Sequence, residues 1–307
     1  MKTIYSLLVV MLLVLASCNS LVREVSPDRI PVATAKLVVH SYISPQDTVL
    51  TVLVETPSAV IGQQINNNGN RRSLSTATVS LSDGSRTVRL PYSAKDFLYR
   101  IASRELPIVA GATYTLTVSA PNFPTATAQC TVPSPVKPTE IRVDSINGRA
   151  NGLPGTTYFG RLVWRDLAGQ RNTYQVSGMM TKIVKRPVFV RPNVPPRDTT
   201  LSSQFTLSFN GSRIFTDQNA DGGLLISSRG EAIEYSFNSQ ERTIGLIFTM
   251  TLSTIDENSY RYSTAIDQQG NANDNPFAEP VLIPNNIRNG LGCFGALNQS
   301  PLTVKVR

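Results

Sequence analysis

The sequence is poor in charged residues, histidine and cysteine. Charged residues occupy 16% of the 307 positions, whereas an average soluble domain has about 25%. One His and three Cys leave little material for a metal site, and no paired carboxylates or Ser/His/Asp spacing stand out. The sequence therefore argues against a catalytic site built from several titratable residues, and it predicts no catalytic residue, no metal centre and no cofactor.

Uncharged polar residues and turn formers take the place of the missing charges. Ser, Thr, Asn and Gln are abundant, which is typical of exported β-rich proteins. The 20 Pro and 19 Gly are scattered along the chain, which indicates many short elements joined by turns and excludes a long coiled coil or a collagen-like repeat. The length allows about two domains of roughly 150 residues each.

The amino terminus predicts a bacterial lipoprotein signal peptide over residues 1–17. Lys2 precedes an apolar run at 4–15, which is too short to span a bilayer because a spanning helix needs about 20 residues. The run ends in Leu-Ala-Ser before Cys18, where small residues let a peptidase cleave ahead of a cysteine that becomes acylated, for instance with palmitate. An ordinary signal peptide followed by a chance cysteine is the alternative. Acyl chains on Cys18 would anchor the mature chain stably in a membrane.

Alternating segments after a tether at 18–35 predict an all-β fold with two tandem β-sandwich domains. The first domain, at 36–134, is predicted to be immunoglobulin-like because short strands follow one another at regular spacing without a helical segment. Tyr114, after the turn residue Gly111, fits the pattern of a tyrosine corner. The predicted strands of this domain lie at 36–44, 48–55, 77–82, 86–90, 110–118 and 125–132.

Three prolines between Pro133 and Pro138 predict the domain boundary, because proline cannot donate to a sheet ladder. The second domain, at 139–307, again shows alternating strands, and Trp164 is predicted to be a core anchor. One short helix is predicted from about Thr254 to Gln268, with Ser253 or Thr254 as its cap.

The carboxyl-terminal part of the sequence resembles a known family. The segments Asn275–Val281 and Asn285–Ala296, together with the Leu-Val-Val strand that starts at Leu37, are similar to the Bacteroidota outer-membrane lipoproteins grouped as domain of unknown function 4249. The sequence departs from the family pattern at His40, where a Glu is expected, and at Cys293. The resemblance implies an envelope lipoprotein without established enzymatic activity, often encoded near TonB-dependent transporters.

A polar turn offers a weak calcium candidate. Asp217, Asn219 and Asp221, followed by Gly222, match the first six positions of a calcium loop, in which side-chain oxygens at positions 1, 3 and 5 face the ion. Position 12 should be a Glu, but Ser228 stands there. The alternative is a polar turn between two strands that has the same residue pattern and binds no ion.

Cys130 and Cys293 are the thiols that remain once Cys18 is acylated. An oxidising envelope would permit a disulfide between them. Cys130 also alternates with Ala126 and Ala128, so a small buried core thiol is the alternative. Their positions in different predicted domains argue against a bridge. His40 is predicted to face solvent, because its neighbours Leu37 and Val39 would face inward.

The net charge of +8 fits attraction to an anionic envelope surface better than nucleic-acid binding, because the basic residues are dispersed. One basic stretch could bind the phosphate groups of lipopolysaccharide or an acidic partner. A solvated hairpin tip is the simpler interpretation. The stretch contains Lys182, Lys185, Arg186, Arg191 and Arg197.

The glycine-rich segment Asn289–Gly295 is the candidate partner contact. Gly292 and Gly295 would let another backbone approach closely, with Phe294 as an apolar anchor. A structural crossover that packs Phe294 into the second domain is the alternative.

The predicted function is a non-enzymatic outer-membrane lipoprotein, working as an accessory or substrate-capturing partner of a TonB-dependent transporter. An envelope hydrolase acting on glycan or peptide is the alternative. The segment 19–24 lacks the acidic run expected of surface-exposed lipoproteins of this phylum, so both the surface and the periplasmic face stay open.

Overall fold

The computed structural model describes residues 36–57, 73–150, 153–188, 197–235, 241–272, 279 and 281–307. The predicted signal peptide at 1–17, the acylation site Cys18 and the tether to residue 35 lie outside this part of the chain. None of the helices in the described ranges is long and apolar enough to cross a membrane.

Alternating apolar residues form the strands of the amino-terminal half. In the first strand, for example, every second residue from Leu37 to Ile43 is buried, while Val38, His40 and Tyr42 are more exposed, as one face of a sheet requires. These strands are β1 (Leu37–Ile43), β2 (Val49–Glu55), β3 (Thr78–Ser82), β4 (Thr87–Leu90), β5 (Tyr92–Ser93), β6 (Leu98–Ala102), β7 (Thr113–Ser119) and β8 (Ala126–Thr131).

The carboxyl-terminal half has longer strands and one helix, α1 (Glu257–Ala272), within the described residues. A mainly β fold with a single helix in this half confirms the predicted fold class. The strands are β9 (Pro138–Ala150), β10 (Leu153–Arg165), β11 (Thr173–Val188), β12 (Arg197–Thr206), β13 (Ser208–Phe209), β14 (Ile214–Thr216), β15 (Leu224–Ile226), β16 (Gly230–Tyr235), β17 (Arg242–Ile255) and β18 (Gly290–Lys305).

Three sheets contain these strands. The largest has the order β12-β11-β17-β18-β1-β2-β6-β5, with β14 also paired to β11. A second sheet has the order β13-β16-β10-β15, with β9 on the other side of β10, and the third has the order β4-β3-β7-β8. Neighbouring strands are antiparallel, except that β1 and β18 are parallel.

The first hydrophobic core joins strands β1 to β8 and contains Leu50, Val79 and Leu116. Tyr114 is buried in it, and its hydroxyl donates to the Pro107 carbonyl at 2.9 Å and accepts from the Val109 N–H at 2.9 Å. These two hydrogen bonds to backbone just upstream form the tyrosine corner that the sequence predicts.

The second hydrophobic core lies among the later strands. The predicted core anchor Trp164 is 0% exposed, and its ring meets Tyr174 and Phe215 edge-on at centroid distances of 5.5 and 5.6 Å. Phe248 and Met250 of β17 belong to the same cluster. Edge-to-face pairs of this kind add to the stabilisation that burial alone provides.

Strand β18 connects the two cores. Its first half pairs with β1 from Gly290 to Ala296, and its second half pairs with β17 from Leu297 to Lys305. The chain from Lys36 to Arg307 therefore forms one compact unit. This differs from the predicted tandem domains at 36–134 and 139–307, because a strand from the end of the chain completes the first sandwich.

The helix begins later than the sequence predicts. Ser253 and Thr254, the predicted caps, belong to β17, which continues to Ile255 because it is hydrogen-bonded to β11 and β18 up to that point. Asp256 takes the capping position, and its Oδ1 accepts from the Ser259 N–H at 3.0 Å. An aspartate at this position satisfies a backbone donor that the first helical turn leaves free.

Candidate functional site

The segment before β18 is held by asparagine side chains. Nδ2 of Asn286 donates to the Phe294 carbonyl at 2.7 Å, and Oδ1 accepts from the Phe294 N–H at 3.0 Å. Nδ2 of Asn285 donates to the carbonyls of Ile287 and Gly290, at 3.2 and 2.9 Å. The side-chain amides of Asn285 and Asn286 thus satisfy backbone N–H and C=O groups that would otherwise need another hydrogen-bond partner.

The same segment covers the edge of the small sheet. Arg288 and Thr127 of β8 exchange two backbone hydrogen bonds, at 2.8 and 3.1 Å. The Gln129 carbonyl accepts from the side chains of Asn258 and Asn286. An uncovered edge strand would offer unpaired backbone groups to other chains, so the segment closes the first sandwich.

The predicted partner contact at Phe294, Gly292 and Gly295 is wrong. Phe294 is 0% exposed and belongs to the first core, not to the second that the alternative expected. Gly292 has φ +110°, and a Cβ there would lie 2.1 Å from the Val39 carbonyl oxygen. A Cβ on Gly295 would lie 2.0 Å from Oγ of Ser259. Only glycine fits at these two positions, because β1 packs directly against Gly292 and α1 packs directly against Gly295.

The outer face of β1 lies against α1. His40 is half-buried, and its ring stands 5.7 Å from the ring of Tyr262 in the helix. Burial lowers the pKa of His40, an effect that Glu55 partly offsets. The prediction that His40 faces solvent is wrong, because a sequence pattern within β1 does not reveal that a helix covers its second face.

Cys130 and Cys293 are both free thiols and both buried. Burial raises the pKa of Cys293 to about 12, and a hydrogen bond from Tyr42 acts in the opposite direction. Burial also raises the pKa of Cys130, with smaller contributions from Asp256 and Cys293. The structure thus matches the alternative of buried core thiols and contains no bond between them.

The calcium candidate contains a carboxylate that the sequence pattern missed. Oxygens of Asp166, Asp217 and Asp221 lie within 4.8 Å of one another. Asp166 and Asp217 are 4% and 6% exposed, whereas Asp221 and Asn219 are exposed. Asp166 directly follows β10, and no local spacing relates it to a turn some fifty residues later.

Backbone and side-chain donors already approach these carboxylates. Asp166 accepts from the Tyr174 hydroxyl at 2.5 Å and from the Gly222 N–H at 2.9 Å. Asp217 accepts from the Asn172 N–H at 2.7 Å. Calcium prefers oxygen ligands, including carboxylates such as these three. The N–H and O–H groups that donate to Asp166 and Asp217 also stabilise these carboxylates without an ion.

A comparison with known protein families matches residues 22–302 to the domain of unknown function DUF4249. The chain belongs to the DUF4249 family. No curated protein matches the sequence. Among solved structures, a partial amino-terminal region of an enterococcal surface protein aligns with 75% of this chain and 93% of that chain, at 6% identity and a TM-score of 0.14. That score is too low to inform fold or function.

The DUF4249 resemblance rests on residues that build the fold. Asn285, Asn286, Gly292 and Gly295 all make the close approaches described above. The resemblance identified the family without locating a binding surface, because these residues are fixed by packing between β1, β8, β18 and α1.

The basic stretch is partly neutralised within the fold. Lys182 forms an ion pair with Glu234, and both side chains are mostly buried. Arg186 lies 3.7 Å from Glu241. Arg191 lies outside the described residues, and Lys185 and Arg197 are exposed. The described part fits a structural hairpin better than a continuous basic surface.

Gly292→Ala is expected to lower the free energy of unfolding by at least about 2 kcal/mol, because the new Cβ meets the Val39 carbonyl and the positive φ is strained. Urea denaturation measures this change. Gly148→Ala is the control, since a Cβ at Gly148 meets no atom within 4 Å. Equal stability of the two variants would contradict the close approach of β1 and β18.

In a Cys18→Ala variant, the two remaining thiols are expected to resist Ellman's reagent in the native state, because the reactive thiolate is suppressed by burial. Both should react after unfolding in guanidinium without reductant. A denatured chain that shows no titratable thiol would instead demonstrate a disulfide between Cys130 and Cys293.

Asp221→Asn is expected to raise the free energy of unfolding by about 0.5 kcal/mol in buffer with chelator, because it relieves repulsion among three close carboxylates. Asn keeps the oxygen that accepts from the Gly169 N–H. Asp198→Asn, at an exposed position, is the control in the same denaturation measurement.

A loss of stability in Asp221→Asn with chelator present would contradict this repulsion. Added Ca²⁺ that stabilises the unchanged protein, but not Asp221→Asn, would instead identify the three carboxylates as a calcium site.

Proposed function

We propose that this protein is a non-enzymatic lipoprotein of the outer membrane that acts as an accessory or substrate-capturing partner of a TonB-dependent transporter. The observation that carries the proposal is the short distance along the chain between the lipidation motif and the folded body. Only 35 − 18 = 17 residues separate Cys18 from Lys36, where the compact unit begins.

This chain length limits how far the body can lie from the membrane. The 36 − 18 = 18 residue steps reach at most about 60 Å when fully extended. A lipid anchor of this length keeps the body close to other proteins of the same membrane. It raises the local concentration of the body beside a membrane partner, which strengthens even a modest contact.

The body has an apolar groove at the carboxyl-terminal end of β1. Pro45 and Gln46 follow β1, and together with Val109 they line a cavity of about 660 Å³. Val109 is 57% exposed. The other lining residues include Pro135, Pro138, Pro301 and Leu302.

Hydrogen bonds and prolines hold the groove in one shape. Gln46 donates to Oδ1 of Asn298 at 3.0 Å and accepts from the Gln299 N–H at 2.9 Å. Prolines fix the backbone on several sides of the groove. A surface that is ordered before binding loses less entropy when a partner docks, so we assign this groove as the contact for the transporter.

The groove is within reach of such a partner. About eight residue steps separate Leu37 from Pro45, which corresponds to about 25 Å along a strand. The tether, at about 60 Å when fully extended, is longer than this distance, which allows the groove to meet the loops of a β-barrel in the same membrane.

The hydrolase alternative has less support. Glycan hydrolysis needs two carboxylates that flank an accessible bond. Among the described residues, Asp166 and Asp217 belong to a cluster of three carboxylates, and they are 4% and 6% exposed. Their oxygens accept hydrogen bonds from Tyr174 and Asn172, so both carboxylates are buried and already bonded within the fold, which does not favour contact with a glycan.

Affinity purification from native membranes in mild detergent tests the proposal. We expect to recover an outer-membrane β-barrel in near-equal amount, because a stable pair should bury more than about 1,000 Å². Repeated recovery of the lipoprotein alone, in several detergents, would contradict the partnership.

Cys18→Ala tests the lipid anchor separately, and it should release the protein from the membrane or block its processing.

Val109→Glu is expected to abolish recovery of the barrel, because it places a charge in the apolar groove. Leu224→Glu is the matched control, since Leu224 is 59% exposed and lies on β15, which does not line the groove. Circular dichroism melting should show that both variants stay folded. Equal barrel recovery with both variants would exclude the groove as the contact.

A further inference from the structure

Three arginines converge on the outer face of the sheet that contains β9, β10 and β16. Ile141 and Leu162 point into the second core, so the alternating residues Arg142 and Arg161 point outward. These two arginines are direct partners in the antiparallel ladder. Like charges at directly opposed positions destabilise a sheet, so this pair lacks a purely structural reason.

The third arginine is held in place by an aromatic ring. The guanidinium carbon of Arg229 lies 3.5 Å from the centroid of the Phe159 ring. Phe159 also points outward, yet it is only 8% exposed because Arg229 covers it. A cation–π contact of this kind limits the positions that a long arginine side chain can adopt.

The neighbouring carboxylates do not neutralise all three arginines. Glu140 accepts from Nε of Arg142 at 3.0 Å. Asp144 lies 3.8 Å from Arg229, which is longer than a hydrogen bond, and its side chain is 77% exposed. Within the described part of the chain, no carboxylate lies within 4.0 Å of the Arg161 guanidinium.

The arginines surround a concave space. Arg142, Arg161 and Arg229 line a cavity of about 310 Å³ together with Phe159 and Asp144. This volume is at the lower end of the range for small-molecule sites. Guanidinium groups favour oxyanions because their N–H donors match the spacing of carboxylate and phosphate oxygens.

We propose that this cavity, which we call the arginine pocket, binds the phosphate group of a phosphate ester. A carboxylate has two oxygens and can be satisfied by a single arginine. A phosphate monoester has three acceptor oxygens and a charge of about −1.5 to −2 at pH 7, so it matches three donors, two on the paired strands β9 and β10 and one directly before β16. Binding would also neutralise the opposed pair Arg142 and Arg161.

The phosphate can belong to a soluble ester or to a lipid headgroup, and both present the same chemistry to the pocket. This inference does not depend on the transporter proposal, because the two sites share no lining residue and the binding is measured on the purified chain alone.

Calorimetric titration of the acylated protein in non-ionic detergent tests the inference. The probes are inorganic phosphate and glycerol 3-phosphate, and mixed micelles that contain either phosphatidic acid or phosphatidylcholine. Sodium chloride keeps the ionic strength constant. We expect Arg161→Gln to weaken phosphate binding by about tenfold or more, since it removes the unpaired charge-assisted donor.

Arg104→Gln is the matched control, because its side chain is 85% exposed and lies outside the pocket. Thermal melting should show Arg161→Gln to be folded and at least as stable as the unchanged protein, since it relieves the repulsion from Arg142. Phosphate should raise the melting temperature of the unchanged protein and of Arg104→Gln, with less effect on Arg161→Gln.

Binding of glycerol 3-phosphate that depends on Arg161 would support a soluble ester as ligand, and dependence seen only with phosphatidic acid would support a lipid headgroup. Absence of binding to every phosphate probe would overturn the inference. Equal affinities of Arg161→Gln and Arg104→Gln would overturn it as well.

Discussion

The parallel pairing of β1 with β18 is the contact on which the rest of the structure depends. It joins residues that are separated by about 250 positions, from Leu37 with Gly290 to Ile43 with Ala296. Because β18 then continues alongside β17, one strand belongs to both halves of the molecule. Phe294 and Ala296 from this strand belong to the first core, so the end of the chain completes the amino-terminal sandwich.

The junction between β17, α1 and β18 is organised around Asp256. Its Oδ1 accepts from the Ser259 N–H at the start of the helix and from the Ala296 N–H of β18, at 3.0 and 3.1 Å. Burial raises the pKa of this carboxyl, and its hydrogen bonds act in the opposite direction. One side chain thus caps the helix and fixes it to the strand, which is possible only because Gly295 leaves room beside Ser259.

Local patterns in the sequence predicted most of the strands and very little of the site. The alternation around Leu37 and Tyr114 reflects a requirement of each strand by itself, so it can be seen in a short window. The role of Phe294 depends on β1, which is far away in sequence, and a glycine-rich segment has the same composition whether it contacts a partner or packs inside. Asp166 was missed for the same reason, since its neighbours Asp217 and Asp221 come from a distant turn.

The positions that break a local rule separate into two kinds once the contacts are known. Gly292 and the buried pair Lys182 and Glu234 have partners within the chain that account for them. Arg161 faces Arg142 across a ladder, and no described carboxylate lies close enough to balance it. Natural proteins accept local destabilisation mainly where function requires it. The outer face of β9, β10 and β16 is therefore a place where this fold departs from what its own stability needs.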